Sequence, residues 1–332
     1  MSYTVNTAFD KFMKEVVNLD PTIVSEARSS RDNLLENIKE FDGKNGFFKL
    51  YSEKDVHFGS FSRKTKCREL DDIDLMVCIS AEGATYNQFN SWNDIKIMAS
   101  STSVAQKDCT RDDGTLNSTQ VANKFKNELK NVREYARSDV RRNGEAVVLN
   151  LRSKVWSFDV VPCFYTAKEN NGRQYYLIPN GNGNWKKTDP TWDKERVTTA
   201  NQGKDGRLLE LVRLCKKWNQ VKLNHLIPSY LLETLVVNFA ESQYELNRWI
   251  DYRFADVLSY ISYHVYNNVA DMKEIQGNIN MLEFNDKIKI SEKASADYSK
   301  ATEAKKAETL GNPNQALLLW RDILGEEFPT NG

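Results

Sequence analysis

Net charge is the first thing this sequence lacks. Forty-six Lys and Arg stand against forty-six Asp and Glu, for a formal charge of zero, which is not the surface of a protein built to hold long nucleic acid by counterion release. Local positive charge at a small anionic ligand is still allowed. Cysteine is scarce and unpatterned. Cys67, Cys78, Cys109, Cys163 and Cys215 form no CxxC, and His57, His225 and His264 are equally dispersed, so neither a disulfide framework nor a zinc site is indicated. No run approaches the roughly 20 apolar residues that cross a bilayer. The opening MSYTVNTAFDKFMKEVV has no signal-peptide core, so the expectation is a cytoplasmic protein without a membrane partner. There is no internal repeat.

What is present suffices for a large core. With 332 residues, 40% apolar and 28% charged, the chain can build two domains or one bilobed molecule with a cleft. Phe9, Phe12, Met13, Val16 and Val17 predict a first helix, Asp20-Pro21 a break, and Ile23 to Phe41 a long second helix ending at Asp42-Gly43. Short strand-like runs follow: FFKLY, IDLMVCI, then AVVLNL and WSFDVVPCFY as a hairpin, and QYYLI before the turn-rich PNGNGN. Residues 100–118 read as a mobile loop, and Val121, Phe125, Leu129 and Val132 as one face of a helix. From about residue 201 every pattern is helical, including LLELVRLCKKWN, SYLLETLVVNFA, FADVLSYISYHVYN and NQALLLWRDILG. The expected fold is α+β: a mixed-sheet domain over 1–200 with N-terminal helices, and a helical domain over 201–332.

Three acids stand out. In Asp72-Ile73-Asp74 the period-two geometry of a strand points both carboxylates to one face while Ile73 faces a core, and Asp159 between Phe158 and Val160 repeats the pattern on another strand. Carboxylates gathered in an apolar setting repel one another unless a cation sits among them. Oxygen-only ligands suit magnesium, which takes its remaining ligands from water and phosphates. A pair of such ions about 4 Å apart can activate a hydroxyl and stabilise a leaving pyrophosphate. Gly59-Ser60 supplies a glycine that lets backbone approach phosphate and a hydroxyl that donates to it. Each motif alone is weak; a Gly-Ser, an acid pair eleven residues beyond Ser60 and a later strand acid together are strong.

That combination resembles the polymerase-beta-like nucleotidyltransferases. GSFSRKTKCRELDDIDLMV followed by WSFDVV is similar to the bacterial cyclic-oligonucleotide synthases among them, the cGAS/DncV-like nucleotidyltransferases (CD-NTases), which act in anti-phage (CBASS) signalling. IPNGNGNW, TDP, LVRLCKKWN, SYLLE and ALLLWRDILGEEFP extend the resemblance over nearly the whole chain. It implies a bilobed palm and helical lobe, with Asp72, Asp74 and Asp159 as catalytic metal ligands for two Mg2+ ions, or Mn2+ in their place. It also implies Gly59, Ser60, Lys216, Ser229 and Tyr230 as holders of a nucleoside triphosphate. Implied substrates are ATP and GTP, with CTP or UTP as further candidates. The implied product is a cyclic di- or oligonucleotide second messenger, made with release of pyrophosphate by a monomer open to regulatory or effector proteins. The zinc-binding insertion of animal cyclic GMP-AMP synthase is absent, so DNA activation is not expected.

Competing readings remain at this point. One is a linear product: an oligoadenylate, a tRNA end, or a nucleotide placed on a protein or antibiotic. Another, from a different class, is a catalytically silent nucleotide-binding protein. His57 as a nucleotide contact, Lys216 and Lys217 as a solvated helix face, and Trp185, Trp192 and Tyr165 as base-stacking groups are further alternatives.

Overall fold

The structure, a computed structural model, describes residues 3–331. Along the chain come α1 (Val5–Phe12), a π-type turn (Met13–Val17), α2 (Pro21–Lys39), β1 (Val56–Phe58), the single turn α3 (Gly59–Ser62), β2 (Asp72–Ile79), and the short β3 (Thr85–Tyr86) and β4 (Ile97–Met98). They are followed by α4 (Val104–Lys107), α5 (Ser118–Asn131), β5 (Asp139–Asn143), β6 (Ala146–Asn150), β7 (Ser157–Tyr165), β8 (Tyr176–Pro179) and β9 (Trp185–Thr188). Helices complete the chain: α6 (Pro190–Gln202), α7 (Leu208–Leu223), α8 (Ser229–Ser242), α9 (Ile250–His264), α10 (Phe284–Thr309) and α11 (Pro313–Leu324).

These elements form two compact units. One holds 22–62 and 70–194; the other holds the chain up to Pro21, Arg63–Glu69 and everything from Glu195 onward. The expected division at residue 200 lies close to the last crossover, but α1 and Arg63–Glu69, expected with the sheet, belong to the helical unit. The reason is visible in α1. Thr4 caps it by accepting from Thr7 N, and its buried stripe of Val5, Ala8, Phe9 and Phe12 enters a helical core. Phe9 meets Trp320 and Phe328 at 5.0 Å each, and Phe12 meets Phe328 at 5.3 Å, in the edge-on geometry aromatic rings prefer.

The sheet unit is built on β2 and β7, the only parallel pair in a sheet ordered β1-β2-β7-β6-β5, with β8 also on β7 and β9 on β8. Both central strands bury one face almost completely: Ile73, Leu75, Val77, Phe158 and Val160 are each at most 1% exposed. Such strands read as apolar runs, which is why IDLMVCI and WSFDVV were legible.

Some expectations fail. FFKLY is not a strand; Leu50 alone makes an isolated bridge, to Ile79, while Phe47 and Phe48 cover α5 through Phe125 at 4.9 and 6.0 Å. Their rings gain more from burial against a helix than from alternation along an edge. Residues 100–118 form an ordered segment. Gln106, fully buried, accepts from Ser100 N (2.9 Å) and donates to the carbonyls of Ser80 (3.3 Å) and Ala81 (3.0 Å). Polar residues that satisfy buried backbone groups look like loop in a sequence. The polar strands β5 and β9 were not foreseen.

Candidate active site

Strand register brings the three acids together. In the parallel ladder Asp74 lies opposite Asp159, and Asp72 opposite Ser157. Residues paired across a ladder share a face, adjacent strands lie about 4.8 Å apart, and residues two apart on a strand return to the same side. Asp72, Asp74 and Asp159 thus occupy one face at neighbouring positions, each half-buried and alternating with buried Ile73, Leu75, Phe158 and Val160. Ser157 fixes the start of the ladder, its N-H and its hydroxyl both donating to the Asp71 carbonyl at 2.9 and 3.2 Å. Beyond the acids the same face is plugged by a small apolar cluster that includes Met76, Cys78, Val161 and Cys163, so the polar part of the face is confined to one end.

Gly59 closes on that end. It follows Phe58, which pairs with Asp74, and has φ +70°, a conformation that favours glycine. A Cβ here would overlap Asp74 Oδ2 and stand 2.6 Å from its Cγ and 3.1 Å from its Cβ. Glycine is therefore needed twice, for the backbone angle and for the close approach to the carboxylate. Ser60, half-buried, is the next residue in the same turn, which is pinned by Ser62 Oγ donating to the His57 carbonyl at 2.7 Å. His57 itself pairs with Leu75 and so points to the face opposite the acids. Burial is the first cause lowering its pKa, with the Arg31 guanidinium adding to it.

The donor set suits a hard cation: carboxylate oxygens on one face, without the thiolate or imidazole that softer metals prefer. Among the described residues no group of three or more His, Cys, Asp and Glu is gathered at metal-ligand spacing. The fit to magnesium thus stands on strand register and donor chemistry.

Lys216, Ser229 and Tyr230 lie in the helical unit. Lys216, on α7, donates to Glu233 Oε2 at 2.9 Å and reaches Thr65 Oγ1 at 3.4 Å. Its neighbour Lys217 is 8% exposed and pairs with Glu327 at 2.7 Å, so neither lysine is on a solvated face. Ser229 is exposed and is the first residue of α8, where unpaired backbone N-H groups and the helix dipole favour an anion. Tyr230 gives its hydroxyl to Asp271 at 2.7 Å under the Lys273 ammonium, 3.9 Å from the ring centre. Of the candidate stacking groups, Trp185 is fully buried with its indole N-H donating to the Leu116 carbonyl, which makes it core. Trp192 lies under the Arg173 guanidinium at 4.3 Å, and Tyr165 packs on Tyr176 at 4.9 Å.

Glu233 was missed by sequence reasoning. It is completely buried on α8 and accepts from Arg63 Nε (2.6 Å), Thr65 Oγ1 (2.9 Å) and Lys216. Burial alone would raise its pKa, but the Lys216 and Arg63 charges outweigh it and hold the group at about 2. The signal available was a single acid inside the otherwise apolar run LLETLVV.

No protein-family model matches the chain. It is 39% identical over 335 residues to a probable cyclic nucleotide synthase of Bacillus cereus strain VD146, covering 100% of this chain and 99% of that one. It is 25% identical over 353 residues to a cyclic AMP-AMP-AMP synthase of an Acinetobacter species, covering 99% and 87%. Among solved structures, Escherichia coli MS115-1 CdnC superposes with a TM-score of 0.73 in its complex with HORMA-deltaN and 0.68 with ATP, at 14% and 15% identity and 98% coverage of both chains in each case. That likeness shows that the chain shares the α+β fold of CdnC. With the full-length match to the Bacillus protein, it follows that this chain belongs to the CD-NTase family of cyclic nucleotide synthases.

Proposed function

We propose that this nucleotidyltransferase joins nucleoside triphosphates into a cyclic di- or oligonucleotide with release of pyrophosphate, using Asp72, Asp74 and Asp159 as ligands for magnesium. The observation that carries the site assignment is the parallel register of Asp74 on Asp159 with Gly59 pressed against Asp74. Magnesium bound there would lower the pKa of an attacking ribose hydroxyl and offset charge on the departing pyrophosphate. The protein's own part is positional. The two strands fix three carboxylates before substrate arrives, so little reorganisation is needed in the transition state. The Gly59-Ser60 turn offers a hydroxyl and backbone N-H groups to phosphate, and Lys216 and the α8 N-terminus at Ser229 offer positive charge. Tyr230 contributes through the edge of its ring or by exchanging its bond to Asp271 for one to phosphate.

ATP and GTP are the first substrates to test, and the named relatives support ATP: one is named a cyclic AMP-AMP-AMP synthase and a structural neighbour was solved with ATP. Anti-phage (CBASS) signalling in the cytoplasm by a monomer, without DNA activation, is the wider role we assign. Among the described residues no helix is long and apolar enough to cross a membrane. A regulatory protein partner is suggested by the CdnC complex with HORMA-deltaN.

The test is incubation of pure protein with magnesium and labelled ATP, GTP, CTP and UTP, followed by phosphatase and separation. Small phosphatase-resistant products are expected. Only phosphatase-sensitive chains would favour the linear reading, and no consumption of any triphosphate, with manganese and candidate protein activators also tried, would favour a silent binder.

A further inference from the structure

The buried acid of α8 has a task that its place in the core does not explain. Glu233 stands among Leu231, Leu232, Leu235, Val236 and Val237, all at most 2% exposed. A charge in such surroundings is retained only if paired, and apolar side chains of similar volume often stabilise as well or better than a buried ion pair. Its partners are specific. Oε1 takes Arg63 Nε at 2.6 Å, and Oε2 takes Thr65 Oγ1 and Lys216 Nζ at 2.9 Å each. The Lys216 and Arg63 side chains are only 11% and 10% exposed, so each has few rotamers left. An ammonium has three donors. Glu233 takes one from Lys216 at 2.9 Å and Thr65 is reached by another at 3.4 Å, which leaves a third direction for a substrate oxygen.

We propose that Glu233 is a positioning residue for triphosphate binding: it holds the Lys216 ammonium in one place and ties it to the Arg63–Thr65 segment that follows the Gly59-Ser60 turn in the chain. It acts through Lys216 and does not touch phosphate, whose charge it shares in sign. The inference rests on the reading of Lys216 as a triphosphate contact. A tethered cation has already lost the side-chain entropy that a free lysine would lose on binding. The consequence should therefore appear in affinity for the phosphates more than in the chemical step.

Steady-state kinetics with the triphosphate that the wild type consumes, and inhibition by inorganic triphosphate as a base-free probe, test this on Lys216→Met, Glu233→Gln, Glu233→Asp and the Lys216→Met/Glu233→Gln double variant. Lys216→Met is expected to raise KM and the inhibition constant about tenfold or more, as for a lost charged hydrogen bond. Glu233→Gln should raise both by a similar factor with kcat within about threefold, and the double variant should be no worse than Lys216→Met, as residues acting in one chain of contacts are not additive. Glu233→Asp keeps the buried charge compensated, carries the comparison if Glu233→Gln fails to fold, and should recover part of the loss. If Lys216→Met raises both constants while the folded Glu233 variants keep wild-type values, or if the two effects multiply, the inference is overturned and the Lys216 reading survives. Wild-type constants in Lys216→Met would instead remove the reading on which it rests.

Discussion

At the scale of single residues, Gly59 and Asp74 are one unit. The φ of +70° at Gly59 disfavours a side chain, and the space claimed by the Asp74 carboxylate excludes one. An alanine there would cost about 1–2 kcal/mol in backbone strain and would also push the carboxylate away from its place opposite Asp159. Gly59→Ala is therefore expected to lower turnover by about a hundredfold, a typical effect of a 1 Å misplacement, while thermal denaturation shows a protein still cooperatively folded. Turnover within about threefold of wild type would mean that the close approach is not needed for chemistry. Glu233 shows the same economy with charge. Its pKa of about 2 lies below the ordinary 4.5, so its contribution to stability is complete above about pH 4.5 and is lost as pH falls toward 2.

At the scale of elements, the legible parts were those whose side chains face two apolar layers or one clear stripe. β2, β7, α5, α7 to α9 and α11 announced themselves because burial repeats at the period of the element. The acids were legible for the same reason, since Asp72, Asp74 and Asp159 interrupt such repeats at the right parity. β5 escaped because DVRRN is polar and mostly open to solvent, and pairs only with β6. The segment 100–118 escaped because its order comes largely from side-chain bonds to backbone, such as those of Gln106 and Arg111, which leave no periodic trace. Gln106→Ala would leave Ser100 N and the Ser80 carbonyl short of a partner, at about 1–3 kcal/mol. Hydrogen exchange should then show faster exchange across 100–118 with β7 unaffected; protection unchanged in that segment would show that Gln106 is not what orders it. Lys216 was singled out only through resemblance, and its ion pair with Glu233 was not foreseen, because a contact between α7 and α8 depends on how two helices pack and not on spacing within either.

At the scale of the whole molecule, the chain passes more than once between its two compact units, so the helical unit is not a contiguous piece of sequence. The 201–332 stretch lacks α1, whose Phe9 and Phe12 are fully buried with Trp320 and Phe328. Losing a buried Phe costs about 3–5 kcal/mol, and losing two approaches the entire stability of an ordinary domain. A 201–332 fragment is expected to show no cooperative thermal transition; a sharp one would contradict the assignment of α1 to its core. In the full chain, the carboxylates joined by the β2–β7 register are proposed to perform nucleotide transfer. The most direct measurement is pyrophosphate release from nucleoside triphosphates by wild type and by Asp74→Asn/Asp159→Asn, alongside circular dichroism and thermal unfolding of both. A loss of at least about a thousandfold in turnover, about 4 kcal/mol of transition-state stabilisation, is expected in a variant that remains folded. Turnover near that of wild type in the folded double variant would contradict it.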